Sequence, residues 1–137
     1  MTELDVIEKI VSNIKKYLSI LNNYKNITVE DLQNDFTLRG AVERYLYLAV
    51  QATIDLAEAL ISYKDLRRPS TFSESFEILN EHNIISKSTK TNMIQMARFR
   101  NRIAHDYGDM NYNIVHDILI NRITDIDIFL EEISRKI

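Results

Sequence analysis

Arg100-Asn101-Arg102-Ile103-Ala104-His105-Asp106-Tyr107 closes an apolar, helix-patterned segment with a guanidinium, an imidazole and a phenol. Working back from it, Met93, Met96, Ala97, Ile103 and Ala104 spread over one side of a helix at about 100° per residue, and Arg100 points into the middle of that side. An arginine therefore sits where a core or interface residue belongs. Isolated buried charge is costly, so a partner is required, and a carboxylate such as Glu43 would make Arg100 a structural residue. His105 lies about 140° around the helix from Arg100. The two can converge on one substrate only if the helix ends near Ala104 or if a second copy of the segment faces the first. Gly108 suits a left-handed helix cap and favours an end at that point.

Outward from this segment the chain reads as helices. Ser88 can cap the segment itself, over roughly 89 to 104. Downstream, Asn113 can cap a last helix whose buried side is Val115, Ile118, Leu119, Ile126, Leu130, Ile133 and Ile137. Upstream, Leu4, Ile7, Val11, Ile14, Leu18 and Leu21 follow a 3-4 spacing that predicts a first helix, and this stripe reads as core. Thr28 with Glu30-Asp31 marks a short helical turn. A long helix follows with Leu38, Ala41, Tyr45, Leu48, Ala52, Leu56 and Leu60 on one face, its alanines allowing close approach of a neighbour. Arg67-Arg68-Pro69-Ser70 breaks it, and Thr71 with Glu74 reads as a capping box opening a short helix through Phe72, Phe76 and Leu79. The expected fold is all-α: an up-and-down bundle of about five helices in one domain spanning 1–137.

Composition agrees with that class and excludes others. Two glycines and one proline in 137 residues leave little room for hairpin turns. The absence of cysteine rules out disulfides, thiolate metal sites and a cysteine nucleophile. The start, Met-Thr-Glu-Leu-Asp, has neither a basic region nor an apolar run, so neither a signal peptide nor a membrane anchor is expected, and a cytoplasmic location is. No glycine loop that would cradle a nucleotide phosphate is present, and no cofactor is expected. His82 and His116 lack metal-ligand spacing and read as surface or turn histidines, so no metal site is expected. Asp125, Asp127, Glu131 and Glu132 read as the solvated face of the last helix.

The net charge is −3, yet the charge is unevenly placed. Lys87, Lys90, Arg98, Arg100 and Arg102 fall between Lys87 and His105 with no acidic residue among them, whereas the chain from Asp106 onward carries seven acidic residues against three basic. A local basic strip can contact phosphates even on an acidic protein.

Arg100, four residues, His105, one residue, Tyr107, with Asn101 after the arginine, resembles the signature of HEPN-domain proteins and specifically of the HepT family, the toxin half of HEPN/MNT toxin–antitoxin pairs. The resemblance covers most of the chain beyond the first helix, most clearly Arg39 to Ala59 and Met96 to Ile120. It implies a dimer in which two motifs line one cleft, a metal-independent RNA endonuclease, and a nucleotidyltransferase antitoxin that silences it by transferring AMP to the tyrosine matching Tyr107. The chemistry suits the residues. His105 can transfer a proton near neutral pH, Arg100 offers a fixed charged fork for the scissile phosphate, Asn101 can orient, and Arg98 and Arg102 can hold flanking phosphates. The alternative is a HEPN module that binds a nucleotidyltransferase or a nucleotide without cleaving anything. In that case His105 caps helix carbonyls and Tyr107 packs at the turn.

Overall fold

Three threonines and an aspartate start the first four helices. A computed structural model of the chain describes residues 2–105 and 110–137, with the backbone alone described at 104 and 105. Thr2 caps α1 (Glu3–Asn22) and Thr28 caps α2 (Val29–Asn34), each in a reciprocal box with an aspartate three residues on. Asp35 then accepts from the Leu38 N–H to open α3 (Phe36–Tyr63), and Thr71 accepts from the Glu74 N–H to open α4 (Phe72–Glu81). The Glu74 carboxylate does not complete a box at that end. It pairs with Arg67 at 2.7 Å, and Glu81 takes the other arm of the same guanidinium, so the connection before α4 is pinned to the helix it precedes.

α5 runs from Lys87 through His105, and its cap is Ser86 rather than Ser88: the Ser86 hydroxyl accepts from the Thr89 N–H. The turn expected afterwards, with Gly108, lies outside the described residues. The expected last helix is two helices, α6 (Tyr112–Asp117) and α7 (Thr124–Ser134), joined through a π-helical turn at Ile118–Arg122. Asn111, not Asn113, caps α6. With the short α2, seven α-helices are described where about five were expected.

α3 is the axis of the molecule. α1, α4 and α5 all pack on it, α2 bridges it to α6, and α7 packs on α5. Ala49, Ala52 and Ala57 are buried along α3, which lets its neighbours approach closely, and α1 meets it through Ile7, Ile14 and Leu21. Phe76 of α4 and Phe129 of α7 meet edge to face at 5.7 Å in the same core. Ile137, expected in the core, is exposed because α7 ends at Ser134. No helix among the described residues is long and apolar enough to cross a membrane.

Candidate functional site

The buried face of α5 is Met93, Met96, Ala97, Phe99 and Ile103, and Arg100 interrupts it as the periodicity requires. The expected partner, Glu43, is not what holds it. Gln51, two helical turns further along α3, accepts from Arg100 Nε at 2.9 Å, and the Tyr47 hydroxyl accepts from Nη2 at 2.9 Å. Asn101 Oδ1, on the next residue of α5, accepts from Nη1 at 2.9 Å. The guanidinium carbon also lies 5.0 Å from the Tyr47 ring centroid and 5.3 Å from that of Phe72 at the start of α4. Among the described residues the arginine is thus seated by neutral acceptors and two aromatic rings, with no carboxylate bonded to it. Such a seat fixes the plane of the group and leaves its charge uncancelled. Those bonds use one N–H of each nitrogen, and a guanidinium has five. One N–H on each Nη is therefore left over by these bonds.

Beside this seat is a cleft of about 800 Å³ between the second half of α3, the connection to α4 and α5. Arg98 and Asn101 line it from α5, Arg68 from the connection, Phe72 from α4 and Glu58 from α3. Arg68 and Arg98 make no ion pair or hydrogen bond among the described residues, which sets them apart from Arg67, Arg122 and Arg135. Burial, and then Asp55 on the preceding turn, push the Glu58 carboxyl above the ordinary glutamate range.

The structure brings together Arg98, Arg100 and Asn101 of the expected site residues. Arg102 is exposed on the same helix and does not line this cleft. His105 is the last described residue of α5, with its side chain outside the described residues, and Tyr107 lies outside them altogether. Sequence reasoning missed Tyr47, Gln51 and Phe72. Their signal was weak: Tyr47 and Gln51 are one helical turn apart on the polar edge of α3, and their target is 53 and 49 residues away, respectively.

His116 is not a surface histidine. It is part-buried, and its Nε2 lies 2.9 Å from the Ile27 carbonyl oxygen, tying α6 to the segment before α2. Glu43, freed from Arg100, faces Tyr112, where Arg39 stacks between the Phe36 ring at 4.5 Å and the Tyr112 ring at 4.9 Å. Burial first, then Glu43, raises the Tyr112 phenol above its usual range.

Fold and site define a class first: a small all-α protein whose candidate site is an uncancelled arginine near the end of one helix. The chain belongs to the HepT-like ribonuclease family, whose model matches residues 7–133. It is 29% identical over 102 residues to the mRNA nuclease HepT of Shewanella oneidensis, covering 74% of this chain and 77% of that one. It is also 29% identical over 117 residues to the tRNA nuclease HepT of Aphanizomenon flos-aquae, covering 84% and 80%. The fold matches a chain of a toxin–antitoxin complex with AMP-PNP at a TM-score of 0.88, with 25% identity over 96% of this chain and 98% of that one. It matches a chain of the complex between the tri-AMPylated Shewanella oneidensis HEPN toxin and its MNT antitoxin at 0.87, with 26% identity over 98% and 99%.

Proposed function

We propose that the protein is a metal-independent RNA endonuclease, the toxin of a two-gene module, silenced when a partner nucleotidyltransferase adds AMP to Tyr107. The observation that carries the reading is the seat of Arg100: a guanidinium fixed in plane by Tyr47, Gln51 and Asn101, with no carboxylate bonded to it among the described residues. A structural arginine on an apolar face is ordinarily neutralised by a carboxylate. This one keeps its charge beside a cleft lined by two further arginines that are unpaired among the described residues.

In the reaction, His105 takes the proton of a ribose 2′-hydroxyl, and the 2′-oxygen attacks the adjacent phosphorus. Arg100 stabilises the negative charge that builds on the equatorial oxygens. The bond from phosphorus to the 5′-oxygen breaks, and that oxygen leaves with a proton. The products are a 2′,3′-cyclic phosphate and a 5′-hydroxyl, and DNA is inert because it lacks the attacking group. Asn101 acts as a positioning residue through its bond to Arg100 Nη1, and Arg98 and Arg102 contact flanking phosphates. The offset of about 140° between Arg100 and His105 fits a homodimer in which two α5 helices line one cleft. The second His105 is then available for the leaving oxygen.

The neutralisation follows from charge. A phosphate and an adenine added two residues from His105 compete with substrate for Arg100 and its neighbours. The similar structure described as a tri-AMPylated HEPN toxin in complex with its MNT antitoxin supports this part.

The test is cleavage of single-stranded RNA by purified protein in EDTA, with end-group analysis. The expected result is a cyclic phosphate terminus, untouched DNA of the same sequence, and no cleavage by Arg100→Ala or His105→Ala of unchanged helicity. Loss of activity on chelation, or full activity in either variant, overturns the mechanism. Incubation with the partner enzyme and ATP should add AMP to the wild type and none to an active Tyr107→Phe. Equal silencing of Tyr107→Phe would remove the modification from the scheme.

A further inference from the structure

Resting on the ribonuclease reading, the geometry points to the cleft beside Arg100 as a nucleobase subsite: Phe72 stacks the base next to the scissile phosphate, Glu58 favours an amino-bearing edge over uracil, and Arg68 takes the outer phosphate.

Three features of the cleft carry this. Phe72 is 36% exposed although it is a large apolar ring, and it both lines the cleft and lies 5.3 Å from the Arg100 guanidinium. A base stacked on it is held next to the group that would grip the phosphate, and stacking on an aromatic ring suits any base. Selectivity must then come from polar groups. Glu58 makes no hydrogen bond or ion pair among the described residues, and it stands two turns beyond Gln51 on the rigid helix that seats Arg100. An ionised carboxylate only accepts hydrogen bonds. It therefore suits the exocyclic amino groups of cytosine, adenine or guanine. Uracil has no exocyclic amino group and offers the carboxylate one N3–H donor flanked by two carbonyl oxygens, a poorer match. Arg68, unpaired among the described residues, lines the cleft from the connection before α4 while Arg98 lines it from α5, so a strand seated on Phe72 meets positive charge from two elements. Asp65 also lines the cleft but belongs to the turn after α3, at a left-handed φ of 55°, and not to the helix that holds Arg100.

Two measurements test this. In the first, a pool of single-stranded RNA randomised around the cut is cleaved and sequenced. Wild type should deplete uridine at one position flanking the cut, and Glu58→Gln should abolish the depletion, because its amide also donates. Asp65→Asn should keep it. Phe72→Ala should raise KM for short RNA by about ten- to a hundredfold, with Phe72→Tyr restoring it. An unchanged uridine profile in Glu58→Gln, a profile that follows Asp65, or no preference in an active wild type overturns the assignment. The second measurement is an NMR titration of the His105→Ala chain with CMP and with UMP. It stands even if no RNA is cleaved, so the two readings fail separately. Shifts at Phe72 and Arg68 with CMP, and weaker ones with UMP, support the subsite. Equal binding, or a cleft silent to both because a second copy fills it, refutes it.

Discussion

The two halves of α5 differ in what is packed against their polar side chains. In the first half the helix start and the side chains of Thr89, Asn92 and Gln95 find counterparts, while Lys87 and Lys90 stay at least partly in solvent. Ser86 N–H donates to Glu132 Oε1 at 2.6 Å, the buried Thr89 hydroxyl donates to the other oxygen of that carboxylate, and Arg122 of the π turn meets Asp125 at 2.8 Å while also reaching Gln95. In the second half Arg98 is unpaired among the described residues, and Arg100 is held by an amide on each side and a phenol. The same helix is thus a stability element at one end and a site at the other. The difference lies in the partners: carboxylates cancel charge, whereas amides and rings orient it and leave it available.

The largest expected break in this comparison comes from Arg100→Lys. The ammonium keeps the charge but cannot reach Gln51, Tyr47 and Asn101 at once as a planar fork, so kcat for RNA cleavage should fall about a hundredfold or more. Arg122→Lys, the same exchange in the other half, should leave kcat unchanged. If the two substitutions reduced kcat alike, orientation of Arg100 would not be what distinguishes the halves. Tyr47→Phe sharpens the point: it keeps the ring under the guanidinium and removes one acceptor, so a fall in kcat of about tenfold is expected, the size of one hydrogen bond.

Glu132→Ala acts on stability instead. It leaves the Ser86 N–H and the buried Thr89 hydroxyl without their acceptor at the start of α5, at a cost of about 1–3 kcal/mol. Urea unfolding measures this, and the activity per folded molecule should not change. An unchanged midpoint would mean that water replaces the carboxylate and that this end is no tighter than the other.

This contrast was only half legible in the sequence. The place of Arg100 on an apolar face follows from periodicity alone, because Met93, Met96, Ala97 and Ile103 fix the buried side of α5. The first helix, the long third helix and the Thr71 cap were legible for the same local reasons. What holds Arg100 was not, since Tyr47 and Gln51 come from a different helix and carry no spacing signal of their own. Glu132 read as solvated because its partners lie 43 and 46 residues upstream. The π turn was hidden for another reason. Ile118, Leu119 and Ile126 keep an apolar rhythm that a straight helix also satisfies, and one extra residue in a turn changes the register without changing the composition.

The smallest expected effect belongs to Asp125→Asn, and it tests the comparison most directly. The substitution takes the carboxylate from Arg122 but leaves Gln95 Oε1 at 2.7 Å and Asn92 Oδ1 at 3.4 Å, so Arg122 becomes an arginine among amides, as Arg100 is. The pair is only partly buried, with side-chain exposures of 31% and 14%, so screening limits its contribution and the loss in urea unfolding should be about 1 kcal/mol or less. If an uncancelled arginine were sufficient for binding RNA, this variant would gain affinity and a steeper salt dependence, because one more cation would be free to displace counterions. Neither gain is expected. Arg122 has no aromatic ring within stacking distance among the described residues and does not line the cleft, whereas Arg100 lies close to two rings beside it. Filter binding of single-stranded RNA across a salt series measures the slope. An increase by about one unit would show that charge alone makes the site, and that the aromatic seat under Arg100 is packing.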